Sequence, residues 1–155
     1  MLRISQTILD QLRRHGEETY PHECCGILLG SADWEKDNRT VTRVLRCGNT
    51  RADSPQTRYH IDERELIAAQ KQARQQGEDI VGFYHSHPDH PARWSATDLA
   101  EAHWLGCSYV ITSVSNGKAG MTNSFALAGA LEEEKRFADE QIVIEESVAA
   151  PLRKA

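Results

Sequence analysis

Between Asp62 and Pro88 the apolar pattern changes period once, and that change limits the fold more than any other stretch does. "DERELIAAQKQARQQG" opens on Asp62, a helix cap, with the carboxylate of Glu65 three residues on. Leu66, Ala69 and Ala73 fall on one helical face, and Gly77 marks the far end. "DIVGFYHSH" follows at once, with Ile80, Val81, Phe83 and Tyr84 reading as a strand that Pro88 and Pro91 end in an irregular loop. A helix feeding a buried strand is the repeating unit of a layered α/β fold.

The rest of the chain fits that unit. Apolar positions at Leu2, Ile4, Ile8, Leu9 and Leu12 predict a first helix from about Ser5, its possible cap, to Arg14, with Gly16 as its stop. "CCGILLG" and "TVTRVLRC" predict two strands joined through the polar "SADWEKDNR". "GNTRADSPQTR" reads as a loop and "YHID" as a short extended piece. Ser95 caps "SATDLAEAHWLG", whose Leu99, Ala102 and Leu105 suit a buried face. "CSYVITSV" is a strand stopped by Asn116-Gly117, and "NSFALAGAL" and "QIVIEES" predict two more around an acidic and basic stretch. The expected fold is α/β, a single-domain mixed β-sheet flanked by helices, with a domain over 1–145 and a tail over 146–155 that frays at its end.

At 155 residues the chain has about the length of one ordinary domain. A net charge of −5 with scattered Lys and Arg offers no basic stripe, so nucleic acid is not an expected partner. No run approaches the ~20 apolar residues of a membrane span, and the N-terminus lacks a signal peptide's continuous apolar stretch. The expectation is a cytoplasmic protein without membrane contact. Cys24, Cys25, Cys47 and Cys107 form no C-x-x-C pair and read as small buried hydrophobes.

Chemistry concentrates in "FYHSHPDHPA". Read as His-x-His-x-Asp-His, it offers His85, His87, Asp89 and His90 in the manner of a metallo-β-lactamase box; read as His-x-His with Ser95 and Asp98 beyond it, it suits a zinc peptidase of another fold. Side chains two apart on a strand share a face, so His85 and His87 can converge on one ion. A catalytic zinc takes about three protein ligands and leaves a position open. Asp98, in the first turn of a helix capped by Ser95, is the natural third. Hydrolysis of an amide also needs a base outside the ligand set. Glu23 stands at the mouth of the first strand, although spacing alone does not single it out. The lactamase parsing needs a further histidine far downstream, and the last one here is His103; a zinc deaminase needs His-x-Glu and Pro-Cys-x-x-Cys, and the chain has neither.

"PHECCGILLG", "YHSHP" and "WSATD" together resemble the JAMM/MPN+ metalloprotease signature, in which a Glu, a His-x-His pair and, after seven intervening residues, a Ser-x-x-Asp form the active site. "GN" after the second strand, "RYHID" before the long helix and "YVITSV" after the site helix extend the resemblance over roughly residues 1 to 145. It implies the JAB/MPN (cytidine-deaminase-like) architecture, His85, His87 and Asp98 as zinc ligands, Glu23 as general acid and base, and Ser95 as a donor to the developing oxyanion. Trp94 stands where many relatives have proline. The chain also lacks room for the insertions with which eukaryotic relatives clamp ubiquitin, so it looks like the small prokaryotic branch.

The resemblance implies hydrolysis, by Glu-assisted attack of water on zinc, of the peptide or isopeptide bond after the C-terminal Gly-Gly of a ubiquitin-like sulfur-carrier protein. The carrier tail would lie extended in a groove walled by Asp89 to Trp94. Alternatives are a non-catalytic MPN-type binding scaffold, and an isopeptidase acting on protein conjugates of a ubiquitin-like modifier.

Overall fold

A computed structural model of the chain describes residues 1–145, and the tail expected over 146–155 lies outside the described residues. The elements run β1 (Leu2–Ser5), α1 (Gln6–Thr19), β2 (Cys25–Asp33), β3 (Asn38–Cys47), α2 (Glu63–Gln75), β4 (Asp79–Pro88), α3 (Ala96–Glu101), β5 (Ser108–Ser115), β6 (Lys118–Ala128), β7 (Arg136–Glu140) and β8 (Ile142–Glu145). All the strands join one mixed sheet in the order β7-β6-β5-β4-β2-β3-β1-β8. The β4–β5, β1–β3 and β1–β8 pairs are parallel and the others antiparallel. Only Gln141 separates β7 from β8 in sequence, yet they stand at opposite ends of the strand order. The sheet therefore curls until its two ends come together.

Alternation along β2 divides the core. Cys24 and Leu28 face α1, in a layer with Leu2, Leu9, Leu12, Val81 and Tyr84. Cys25, Ile27 and Leu29 face α2, in a layer with Ala69, Ala73, Phe83, Tyr109 and Phe125. All four cysteines are buried free thiols, as small hydrophobes should be. Among the described residues no helix is long and apolar enough to cross a membrane.

Several boundaries differ from expectation. Leu2 and Ile4 have the period of a strand and form β1, while α1 begins where expected, after a Ser5 cap whose side chain accepts from the Ile8 N–H at 3.2 Å. Gly16 does not stop α1. A Cβ there would lie 3.1 Å from Val114 Cγ2 and 3.2 Å from Ser86 Cβ, so the glycine lets the helix lie close on β4 and β5. The helix ends instead where Tyr20 precedes Pro21 and takes an extended ψ of 134°. Helix α3 stops at Glu101 and leaves Leu105 exposed. The acidic and basic stretch contains a 3-10 turn and then β7, whose one buried residue is Phe137. "YHID", read only as a short extended piece, pairs with no strand among the described residues.

Gly26 shows how tightly the α1 layer is packed. A Cβ on it would fall 2.1 Å from Tyr84 Cε1, and Tyr84 is buried with its hydroxyl 2.8 Å from His15 Nδ1. Gly26→Ala is expected to destabilise by about 1–3 kcal/mol, the usual cost of overpacking. Urea unfolding measures this, and an unchanged midpoint would show that the ring moves aside freely.

Candidate active site

His85 and His87 leave the centre of the sheet on β4, both buried, with their Nε2 atoms 3.1 Å apart. Asp98 on α3 closes the group: Oδ1 lies 3.3 Å from His85 Nε2, and Oδ2 lies 3.1 Å from His87 Nε2. The first turn of α3 fixes that carboxylate. Ser95 Oγ accepts from the Asp98 N–H at 3.1 Å while Asp98 Oδ2 accepts from the Ser95 N–H at 2.9 Å, a reciprocal capping box. The cap uses Ser95 Oγ as an acceptor, so its own O–H remains available to donate.

Glu23 arrives from the residues before β2. The register sets Cys25 opposite His85, and the Ser86 N–H donates to Cys24 O at 3.3 Å, so the next residue out, Glu23, comes to His87. Glu23, His85 and His87 can present ligand atoms within 4.8 Å of one another. Glu23 is only 4% exposed, and its Oε1 has no hydrogen-bond partner among the described residues. Burial, with the negative charges of Asp98 and Glu101, pushes its carboxyl up to about 9. Burial works against ionisation of Asp98 as well, but the His85 and His87 imidazoles against its oxygens hold it well below the usual carboxylate range. Burial, and then His87, lower His85 despite the opposing carboxylate.

The donor set is suited to a cation. His87 Nδ1 lies 2.9 Å from Pro91 O and must donate to it, so in the neutral ring Nε2 is a bare lone pair aimed at a carboxylate. That arrangement repels unless positive charge lies between the two. Zinc bonds to N and O of about 2.0–2.2 Å in a tetrahedron space ligand atoms by about 3.4 Å. The contacts among His85, His87 and Asp98, at 3.1–3.3 Å, come closer to this than the wider triad through Glu23.

A cleft of about 650 Å³ opens over these groups, lined by Glu23, His87, Ser95, His90, Trp94 and Phe125 among others. His90 and Trp94 thus stand in the wall where the sequence expected them, and the Trp94 ring also packs on Phe137 with centroids 5.6 Å apart. Asp89 does not line the cleft. Its carboxylate accepts from the Tyr20 hydroxyl at 2.5 Å and the Asn116 N–H at 3.0 Å, holding a turn with φ of 55°. Two residues not singled out from sequence also belong here. Tyr59 stacks on His85 at 4.5 Å, and Asn49 Nδ2 donates to the Glu23 carbonyl at 3.3 Å. The "GN" after β3 was the only signal for Asn49.

A family model described as prokaryotic homologs of the JAB domain matches residues 5–128, a span that includes Glu23, His85, His87, Ser95 and Asp98. Over 107 residues the chain is 37% identical to the desampylase of Haloferax volcanii, covering 69% of this chain and 73% of that one. Over 104 residues it is 33% identical to a probable TtuB-protein conjugate cleaving protease of Thermus thermophilus, covering 67% of this chain and 65% of the relative, just under two thirds of its length. The solution structure of a protein from Desulfitobacterium hafniense superposes with a TM-score of 0.79 at 31% identity over 96% of both chains. Sequence and fold agree, and the chain belongs to the family of prokaryotic homologues of the JAB domain.

Proposed function

We propose that the protein is a zinc-dependent JAMM-type hydrolase that cleaves the peptide or isopeptide bond after the C-terminal Gly-Gly of a ubiquitin-like sulfur carrier. The observation that carries this reading is the convergence of two imidazole Nε2 atoms and the Asp98 carboxylate within 3.3 Å, beside a buried, unpartnered Glu23 carboxyl. His85, His87 and Asp98 hold the ion. A bound zinc supplies a Lewis acid for the scissile carbonyl and makes water nucleophilic near neutral pH. Glu23 takes a proton from the attacking water and delivers it to the leaving nitrogen. The Ser95 O–H donates to the oxygen on which negative charge develops.

The relatives inform the substrate. One is named a desampylase and the other for cleaving conjugates of TtuB with proteins, which favours an isopeptide conjugate over a trailing peptide. Both bonds present the same glycyl carbonyl, so one set of groups serves either. Trp94 and Phe125 give the cleft apolar walls for a slender extended tail. The catalytic unit is residues 1–145, working in the cytoplasm, where the four thiols stay reduced. A non-catalytic scaffold would have no need of a buried carboxyl beside a cation site.

Exhaustive chelation is expected to abolish cleavage of such a conjugate, and added zinc to restore it. Chelation should also lower thermal stability, because a ligand bound only by the native state stabilises it by about 2.7 kcal/mol at a hundredfold excess over Kd. Undiminished turnover in the chelated protein would overturn the proposal.

A further inference from the structure

The segment between β3 and α2 carries no group in the proposed chemistry, yet it is tied to the site at several points. The side-chain amide of Asn49 is saturated. Its Nδ2 donates to Glu23 O at 3.3 Å and Arg58 O at 3.0 Å, and its Oδ1 accepts from the Arg51 N–H at 3.0 Å and the His60 N–H at 3.1 Å. The Thr50 N–H donates to His60 O at 3.0 Å, so residues 50–60 form a loop pinned shut at its base. Three of its residues reach the site. Pro55 O accepts from the Glu23 N–H at 2.8 Å, Thr57 lines the cleft, and the Tyr59 ring lies on His85. The Arg51 guanidinium ties the loop to Glu101 at the end of α3, at 3.1 Å.

Glu23 precedes β2, so no ladder holds it, and among the described residues no hydrogen bond restrains its carboxyl. What orients it is its own peptide groups, the N–H held by Pro55 and the carbonyl held by Asn49. We infer that Asn49 is a positioning residue for Glu23, clasping the 50–60 loop so that the carboxyl stays in place for proton transfer. The inference rests on the hydrolase reading above. A displacement of about 1 Å in a catalytic group can cost a hundredfold in rate, and a single clasp on a short loop can hold or lose that much.

The test uses the zinc-loaded protein and a ubiquitin-fold sulfur carrier whose Gly-Gly is joined to a lysine side chain of a fluorescent peptide. Asn49→Asp keeps both accepted bonds and loses both donated ones. It is expected to lower kcat about 10- to 100-fold, with zinc content intact and KM changed less than about threefold. Asn49→Ser adds no charge and is expected to fall in the same direction; it is also the second variant should the aspartate not fold. Arg51→Ala loosens the loop away from Glu23 and is expected to act mainly on KM. In a Glu23→Gln background, Asn49→Asp should cost nothing further, since the residue it positions is already disabled. Wild-type kcat in both Asn49 variants, a loss that tracks lost zinc, or an additive loss in the double variant would overturn the inference. Full activity in Glu23→Gln, or an inactive wild type, would instead count against the hydrolase reading itself.

Discussion

Replacing Glu23 by Gln is expected to lower kcat by about 10²- to 10⁴-fold, the range over which a positioned acid–base group contributes, without unfolding the protein. The amide matches the carboxyl in size and keeps the site filled, but it can neither take a proton from water nor return one to a leaving nitrogen. Zinc content should be unchanged, because His85, His87 and Asp98 form the tighter triad and are untouched. Stability is expected to move the other way. The carboxyl lies at about 9 in the fold against an ordinary 4.5. A group raised in this way contributes most below pH 4.5 and loses that contribution as pH climbs from 4.5 toward 9. At pH 7.5 in the chelated state the wild type therefore carries a penalty that the glutamine variant lacks, and the variant should melt higher. Elemental analysis, single-turnover kinetics and melting curves together check these points. Turnover within tenfold of wild type would remove Glu23 from the mechanism.

What the sequence could and could not show follows from how each residue is placed. His85 and His87 were legible because a strand's period of two needs no partner to be read. Asp98 was legible because the Ser95 cap fixes the first turn of a helix, and in the structure the same carboxylate oxygen serves the cap and faces His87. Glu23 depends on the β2–β4 register, a pairing across some sixty residues that local pattern does not encode, so only the family resemblance pointed to it. Asn49 works through four backbone atoms of distant or irregular residues and leaves no periodic trace. Strands β1 and β7 were missed for a related reason. They are short and lie near the ends of the strand order, and β7 buries one large apolar side chain, Phe137, so alternation has almost nothing to display.

Arg39→Ala is expected to cost about 3–5 kcal/mol of stability, the usual result of stranding one half of a buried ion pair. Arg39 is 1% exposed. Its guanidinium donates to Glu140 Oε2 and Ser108 Oγ at 2.6 Å, Asp37 Oδ1 at 2.7 Å and Gly106 O at 2.8 Å, joining β3 to both β5 and β7 across the curled sheet. Burial disfavours the charge on Glu140, yet bonds from Ser108, Ser124 and Arg39 hold its carboxyl below the ordinary value. Its contribution to stability is therefore present above pH 4.5 and is lost as pH falls through the lowered folded value. Arg39→Ala leaves that carboxylate buried without its guanidinium partner, with only the Met1 ammonium at 3.3 Å as a cation beside it, whereas Arg39→Met combined with Glu140→Gln removes both buried charges and should recover much of the loss and blunt the acid dependence. The network sits at the start of β5, where Ser108 pairs with Gly82, while His87 pairs with Ser113 five residues further along. At about 3.3 Å per residue the separation is roughly 16 Å, so turnover per folded molecule should be unchanged at temperatures where the single variant stays native. Urea titrations at pH 4 and pH 7.5 with parallel kcat measurements separate the two quantities. A kcat that fell along with stability would show that closure of the sheet, and not only its local register, holds the histidines in place.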